Sequence, residues 1–397
     1  MTEHRFDIVI VGAGPAGSAA AYLLAKRGLK VALLDKSNFP RDKTCGDGLT
    51  PRAVKALEAI GALDKVAQRA HRCNSITLRH SDAVEYKLSL SDLGGLPNYV
   101  MVLPRYSLDD LLRQHAVDAG AHFIPNSKVE NIAHAADGTV EVHVEGRKPL
   151  RCALSIIATG ANARLLMDLG LLNGKPHVNL AARCYFENVE GLDDSIVLFF
   201  DNVRLPGYGW VFPTSPTSAN IGCGVFFDDK MPQATQLRGL IETHPYLKRL
   251  LRNAKQVGPI KGYPLRTDFS PSHGGNDWIL VVGESVGLVN PITGEGIDYA
   301  LESAQLAAAA TLEEWKGTVT PSIQKKYRAA LAKKYRYQLA LNHLAQKIYL
   351  RAGMLDSLLK RAQKSEYLRK AIVDACFGSA DPAIMVSPRT LWEVFRP

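Results

Sequence analysis

Residues 6–35 constrain the fold of this chain more tightly than any other stretch. Phe6-Asp-Ile-Val-Ile-Val11 is a short apolar, β-branched run of the kind buried on both faces of a parallel sheet. Gly12-Ala-Gly14-Pro-Ala-Gly17 follows at once, and alanines and leucines continue at helical spacing from Ala16 to Arg27. Gly28 supplies a helix stop, and residues 29–34 form a second strand ending in Asp35. Strand, glycine turn, helix, strand and terminal acid make one βαβ unit, the context that gives a Gly-x-Gly-x-x-Gly pattern its meaning. Gly12 allows the tight turn, Gly14 removes the Cβ that would block a pyrophosphate, and Gly17 lets helix and strand pack closely. The helix, opening at Ala16, offers free N–H groups and a positive dipole end to phosphates. Asp35 is placed to accept hydrogen bonds from an adenosine ribose. By itself the unit fits NAD as well as FAD, and glycine turns also occur without ligands.

Almost 280 residues later, Asn290-Pro-Ile-Thr-Gly294-Glu-Gly296-Ile297 forms a second glycine-rich turn, opening an alanine-rich helix over 297–312. One ligand held from both ends of a chain must be long, which favours FAD and a flavoprotein oxidoreductase. A single Gly-x-Gly-x-x-Gly unit leaves no second nicotinamide domain. Electrons would come from visiting NADPH or from a redox protein.

The 397 residues, 46% apolar, suffice for two packed domains. The polar residues 1–7 do not resemble a signal peptide, and no run reaches the 18 or so apolar residues of a spanning helix. The expectation is a cytoplasmic protein, either free or peripheral to the inner face of a membrane. Six cysteines without a C-x-x-C pair, and histidines without ligand spacing, point to neither disulfides nor a metal. Residues 321–370 carry 13 Lys/Arg against 2 Asp/Glu, a net +11 in a chain whose total is +9. Tyr327, Leu331, Tyr335, Leu339, Leu341 and Ile348 sit near helical spacing among these cations. Such a surface suits anionic lipid, or is simply a solvated basic face. No nucleic-acid motif accompanies it.

Between the two turns the pattern predicts a loop over 40–49, a helix over 51–60 and strands over 73–103. A helix follows Arg105, with Ser107 as N-cap, Asp110 as capping-box acid and Gly120 as its stop. Strands are expected at 121–124, at 128–132 (carrying Val129), and at 139–144 and 151–158 around a turn at Gly146. Gly160 ends a strand where backbone must approach a ligand closely. Residues 166–272 alternate in segments such as 181–186, 196–200 and 219–226, as an antiparallel sheet covering a pocket should. The expected organisation is therefore a discontinuous Rossmann-type α/β FAD-binding domain (1–72, 100–165 and 273–320). A β-sheet substrate domain (73–99 and 166–272) is inserted into it, and basic C-terminal helices (321–397) follow.

Three motifs carry a resemblance to a known family. They are Pro40-Arg-Asp-Lys-Thr-Cys45-Gly46-Asp47-Gly48-Leu49-Thr-Pro51-Arg52; Tyr208-Gly-Trp210-Val-Phe212-Pro213 with Gly222-Cys-Gly224; and Gly283-Glu284-Ser-Val-Gly287 with Asn290 to Asp298. The chain resembles the geranylgeranyl reductase family, within the flavoproteins folded like p-hydroxybenzoate hydroxylase, and is nearest to the branch that reduces a menaquinone isoprene unit. The resemblance implies FAD-dependent saturation of prenyl C=C bonds. It puts Gly12, Gly14, Ala16, Gly17 and Asp35 on the ADP half of FAD, and Arg105 near the pyrophosphate or ribityl chain. It puts Glu284 on the ribityl, and Gly294, Gly296, Ile297, Cys45 and Gly46 beside the ring. Tyr208, Trp210, Phe212, Gly222 and Gly224 would line a tunnel for a prenyl lipid or other hydrophobic substrate. Glu284-Ser285 stands where the family usually has Asp-Ala, and Ala158-Thr-Gly160 where relatives carry Ala-Asp-Gly.

Reducing an isolated alkene takes a hydride at one carbon and a proton at the other. Cys45, Tyr208 and Trp210 are the candidate catalytic side chains, with Cys45 a proton donor, a group that tunes the flavin or a spectator, and with ordinary core packing as the alternative for the aromatic residues. Asp47 reads as a cap for the helix at Pro51, the alternative being to orient its loop, and Arg52 reads as a solvated surface cation, the alternative being to meet a diphosphate headgroup. A flavin monooxygenase or halogenase of the same fold is the rival reading. Tyr208 and Phe212 depart from the halogenase Trp-x-Trp-x-Ile-Pro pattern. A non-catalytic flavin or lipid carrier is a further alternative.

Overall fold

The computed structural model describes residues 6–80, 84–91, 93–225, 232–378 and 381–396. The polar start (1–5) and Phe226, expected to end a strand, lie outside the described residues.

The apolar runs pair into a six-stranded sheet in the order Gly275–Asn276, Ile279–Val281, Leu154–Ile157, Ile8–Val11, Val31–Leu34, His122–Ile124. Every junction is parallel except the first. Helix Pro15–Ala25 packs between helices Arg105–Asp118 and Ile297–Glu314. A Cβ on Gly17 would fall 1.8 Å from the Gly12 carbonyl oxygen, so helix and turn can meet only at glycine. A small antiparallel sheet adds Ile132, Val140 and Val142 to the same core.

Two local expectations change. Helix Arg105–Asp118 begins at Arg105, with Pro104 as N-cap. Ser107 therefore sits inside the first turn, and Asp110 pairs with Arg113 at 2.7 Å rather than closing a capping box. The backbone before Arg105 is already set at φ −51° by Pro104, which starts the helix early. The run 151–158 divides at Ala153. Leu150–Cys152 joins the small sheet, and Leu154–Ile157 joins the large one.

The second large sheet has seven strands, ordered Lys255–Arg266, Val178–Glu187, Ser218–Val225, Gly207–Ser215, Ser195–Phe199, Ser75–Arg79, Glu85–Ser89. All its junctions are antiparallel except Ser195–Phe199 against Ser75–Arg79. Val197, Phe199, Val211, Ile221 and Cys223 face helices Gln233–Thr243 and Pro245–Leu250, which the sequence reading missed. Ile196, Leu198 and Trp210 belong to a separate core on the other side.

The C-terminal residues fold as helices Pro321–Tyr349, Ala352–Ala362, Glu366–Phe377 and Pro388–Phe395. In the first, Ile323, Tyr327, Leu331, Tyr335 and Leu339 enter the core of the parallel sheet. Further along, Ala345 and Tyr349 enter the core beneath Trp210. Leu341 and Ile348, expected on the same stripe, are only half-buried because Asn342, Ala345 and Tyr349 continue it instead.

Candidate functional site

A cavity of about 720 Å³ opens between the two sheets. Every candidate site residue named above lines it except Gly17 and Gly222. Gly17 is the packing glycine already described. Gly222 stands opposite Trp210 on the neighbouring strand, and a Cβ there would lie 2.1 Å from the indole. It makes room for the ring rather than forming the wall.

At one end is the dinucleotide turn. The Asp35 carboxylate accepts the Ala13 N–H at 2.9 Å and the Ser37 N–H at 2.9 Å, tying the turn to the end of the second strand. A Cβ on Gly14 would meet only two guanidinium nitrogens, of Arg41 at 3.7 Å and of Arg105 at 3.9 Å. Both cations are held by Asp109, which is fully buried; Arg105 donates to it at 2.6 and 2.8 Å, and Arg41 lies at 3.1 Å. Burial pulls the Arg105 pKa down, but the Asp109 carboxylate raises it further, so the guanidinium keeps its charge. A bare backbone turn facing two fixed guanidiniums is a receptor for a diphosphate.

The middle of the cavity is shaped by the loop over 40–49. Asp47 has φ +66° and is fully buried. It accepts the Arg105 N–H at 3.1 Å, the Tyr185 hydroxyl at 2.6 Å and the Asn220 amide at 2.7 Å. The same Asn220 amide donates to the Cys45 carbonyl at 2.8 Å, while its carbonyl accepts Trp210 Nε1–H at 2.9 Å. Asp42 anchors the other end of the loop, taking Arg183 at 2.5 Å and Lys261 at 2.6 Å. Asp47 thus positions the loop and does not cap the following helix. Thr50 is the cap, accepting the Ala53 N–H at 3.3 Å. Burial raises the Asp47 pKa to about 6, against the hydrogen bonds of Tyr185 and Asn220. Burial likewise pushes the half-exposed Cys45 thiol up, against the pull of Arg105, so it stays protonated.

At the far end, Tyr208, Trp210 and Phe212 present one face of their strand, with successive ring centroids 6.0 and 6.1 Å apart. The loop runs close over them, since a Cβ on Gly46 would sit 3.1 Å from the Phe212 ring. The Tyr208 hydroxyl donates to the Thr293 carbonyl, joining the aromatic strand to the second glycine turn. Gly296 opens helix Ile297–Glu314 with no side-chain cap, leaving its first N–H groups available. Glu284 accepts the Arg266 N–H at 3.2 Å, and its other oxygen would lie 3.5 Å from a Cβ on Gly160.

Comparisons with known proteins agree with this geometry. Residues 5–190 match the FAD binding domain family. The chain is 35% identical to menaquinone reductase of Mycolicibacterium smegmatis, over 77% of this chain and 76% of that protein. It is 29% identical to digeranylgeranylglycerophospholipid reductase 1 of Methanopyrus kandleri, over 84% and 87%. Among solved structures, a geranylgeranyl bacteriochlorophyll reductase-like protein of Thermoplasma acidophilum aligns with TM-score 0.79 at 21% identity, covering 99% of this chain and all of that one. A flavin-dependent brominase aligns at 0.75 and 20%, covering 96% and 97%; likenesses this distant speak for the fold alone.

The chain belongs to the geranylgeranyl reductase family of FAD-dependent oxidoreductases. Its fold is that of the p-hydroxybenzoate hydroxylase-like flavoproteins, and FAD is its cofactor. Two glycine turns on one cavity, a guanidinium pair beside the first and an aromatic wall beside the second fit a cofactor with a diphosphate and a flat ring.

One family loop residue behaves unlike its expected surface cation. Arg52 is buried, 3.5 Å from Asp298 and 2.7 Å from Glu302, with its guanidinium 4.7 Å from the Tyr299 ring centroid. Partners 246 and 250 positions away leave no local signal of this. Asn220 and Tyr185 were missed for the same reason, although a lone Asn inside an apolar strand was a visible hint; Asp109 was missed although Arg105 stands only four positions before it.

Proposed function

We propose that the chain saturates C=C bonds of a polyprenyl lipid, with the isoprenoid side chain of menaquinone as its substrate. The observation that carries this reading is the Tyr208–Trp210–Phe212 wall, set against Gly46 and joined to the 290–297 turn. A prenyl chain has no polar handle, so it binds by burial, at about 0.8 kcal/mol per CH₂. Three successive rings, tilted against one another along an apolar wall, supply that surface and exclude water. The names of the mycobacterial and archaeal relatives support a prenyl substrate, and the higher identity of the former favours menaquinone.

In this reading Gly12, Gly14 and Ala16, with Arg105 and Arg41, hold the diphosphate, and Asp35 the adenosine ribose. Glu284 and Gly160 hold the ribityl chain, Val129 walls the adenosine side, and Cys45, Gly46 and Gly294–Ile297 bracket the ring. When bound, the cofactor supplies the hydride. The protein binds, aligns and desolvates the alkene. Segments 1–72, 100–165 and 273–320 serve the cofactor, and 73–99 with 166–272 the substrate. NADPH or a redox protein delivers the electrons.

No described helix is long and apolar enough to cross a membrane. A lipid substrate nevertheless lies in one, and the C-terminal helices expose Tyr337, Leu344, Trp392 and Phe395 beside their excess of cations. This surface supports peripheral docking on an anionic bilayer. Co-sedimentation with anionic vesicles, lost on W392A/F395A, checks the docking.

The deciding experiment is anaerobic incubation of the reduced enzyme with menaquinone, prenyl diphosphates and other prenyl lipids, followed by mass spectrometry. Addition of a pair of hydrogens is expected. Incorporated halogen overturns the reading in favour of the chemistry named for the brominase and halogenase neighbours, and incorporated oxygen in favour of a monooxygenase.

A further inference from the structure

Alkene reduction needs an acid as well as a hydride, and the cavity holds one that the family resemblance did not single out. Glu295, between the two glycines of the second turn, lines the cavity together with Thr50, Tyr208 and Cys376. Its Oε1 is buried without a hydrogen-bond partner. In the first turn of the following helix, Asp298 is fully buried and neither of its carboxyl oxygens has a hydrogen bond. Arg52 approaches Asp298 at 3.5 Å and binds Glu302 at 2.7 Å. Glu302 also accepts the Tyr335 hydroxyl at 3.0 Å and lies 3.1 Å from Lys334, which is 42% exposed.

The charges in this cluster decide its protonation. Glu295, Asp298 and Glu302 face the cations Arg52 and Lys334, so full ionisation leaves one uncompensated negative charge in a buried site. A buried carboxylate without donors is costly, and the group takes up a proton instead. Glu302, with both cations on it, is the one held below its ordinary range, although burial opposes this. One proton on the Glu295 and Asp298 carboxyls makes the cluster neutral. Burial and the neighbouring Asp298 both push Glu295 well above the usual carboxylate range, and the two titrate as a pair. Tyr208, the other hydroxylic acid nearby, already donates to the Thr293 carbonyl.

We propose that Glu295 is the acid that protonates the alkene, with the charges of Asp298, Arg52, Glu302 and Lys334 keeping it protonated. The inference rests on the prenyl-reductase reading. The π bond opens; one carbon gains the Glu295 proton, and its neighbour gains the hydride of the reduced cofactor. Glu295 is left as the carboxylate and recovers a proton from water. The electrons come from NADPH or a reduced redox protein, and the net change is addition of a pair of hydrogens.

The test compares E295Q and E295D with the wild type in the FAD-loaded protein. Infrared spectroscopy of the oxidised wild type at pH 7 should show a protonated-carboxyl C=O band that shifts in D₂O and disappears in E295Q. Anaerobic single-turnover saturation by E295Q should fall about 100- to 10,000-fold, the range for loss of a general acid. E295D, a poorer isostere with a titratable carboxyl, should be faster than E295Q. A merely space-filling Glu295 predicts the reverse order of Gln and Asp. The inference is overturned if the band is absent in wild type, or if E295Q saturates the substrate within about threefold of it. A wild type that reduces no prenyl lipid brings down the underlying reading, whatever the variants do.

Discussion

The two ends of the cavity are built by different means. At the diphosphate end the receptor is chiefly backbone: a turn whose shape depends on missing side chains, with helix N–H groups behind it, all within a 30-residue stretch, and only the guanidiniums of Arg41 and Arg105 join it from farther along the chain. At the aromatic end the receptor is side chains held by other side chains, through contacts of Asp47 with Tyr185, Asp47 with Asn220 and Arg52 with Glu302 that span 138, 173 and 250 positions. The first kind of site is rigid as soon as its local unit folds. The second exists only when both sheets and the C-terminal helices have come together, so cofactor binding and substrate binding should fail separately.

The sharpest way to break that contrast is G17V. A side chain there collides with the Gly12 carbonyl, so the purified protein should be colourless and take up no FAD in an absorbance titration. Retained flavin would show that the turn is not the receptor. Next is R52M, which strands Asp298 in the core and leaves Glu302 with Lys334 and Tyr335 alone. Breaking a buried ion pair costs about 3–5 kcal/mol, read as a lower midpoint in urea unfolding. A smaller and more selective effect is expected from G222V. It displaces the Trp210 indole while leaving the dinucleotide turn alone, so FAD affinity should hold while KM for a prenyl substrate rises about tenfold or more, consistent with lost apolar contact. Loss of flavin from G222V would mean that the two ends are not separable. The smallest effect is a pH dependence at the join between them. Asp47 has its folded pKa raised to about 6 from 3.8, so the native state binds its proton more tightly than the unfolded chain does. Its contribution is complete below pH 3.8 and is lost as pH rises through about 6. The difference in unfolding free energy between wild type and D47N should therefore shift by about 2 kcal/mol against wild type between pH 4 and 7.

The same contrast governs what could be read from the residues alone. The βαβ unit, the second glycine turn and the one-sided aromatic strand were legible because each is encoded by neighbours in sequence. The period of two that puts Tyr208, Trp210 and Phe212 on one face needs no knowledge of the rest of the chain. Arg52 looked like a surface cation because its anions come from a helix that starts at Ile297. Asp47 looked like a cap because a helix begins four residues later, and only the fold brings Tyr185 and Asn220 to it. Ser107 failed for a local reason, since Pro104 had already turned the chain. Gly222 was assigned to the right neighbourhood but to the wrong surface, because a glycine that admits an indole and one that admits a substrate look alike as letters.

Helix Pro321–Tyr349 gives the assembly a mechanical character of its own. At 29 residues it is about 43 Å long, and its halves are embedded in the cores of different sheets. It acts as a splint across the gap. The two lobes cannot gape like a clamshell without tearing one end of this rod from its bed, so guests must thread in and out past a nearly fixed frame. Slow, diffusion-like loading of long lipids, rather than lobe closure, should then set the tempo of turnover.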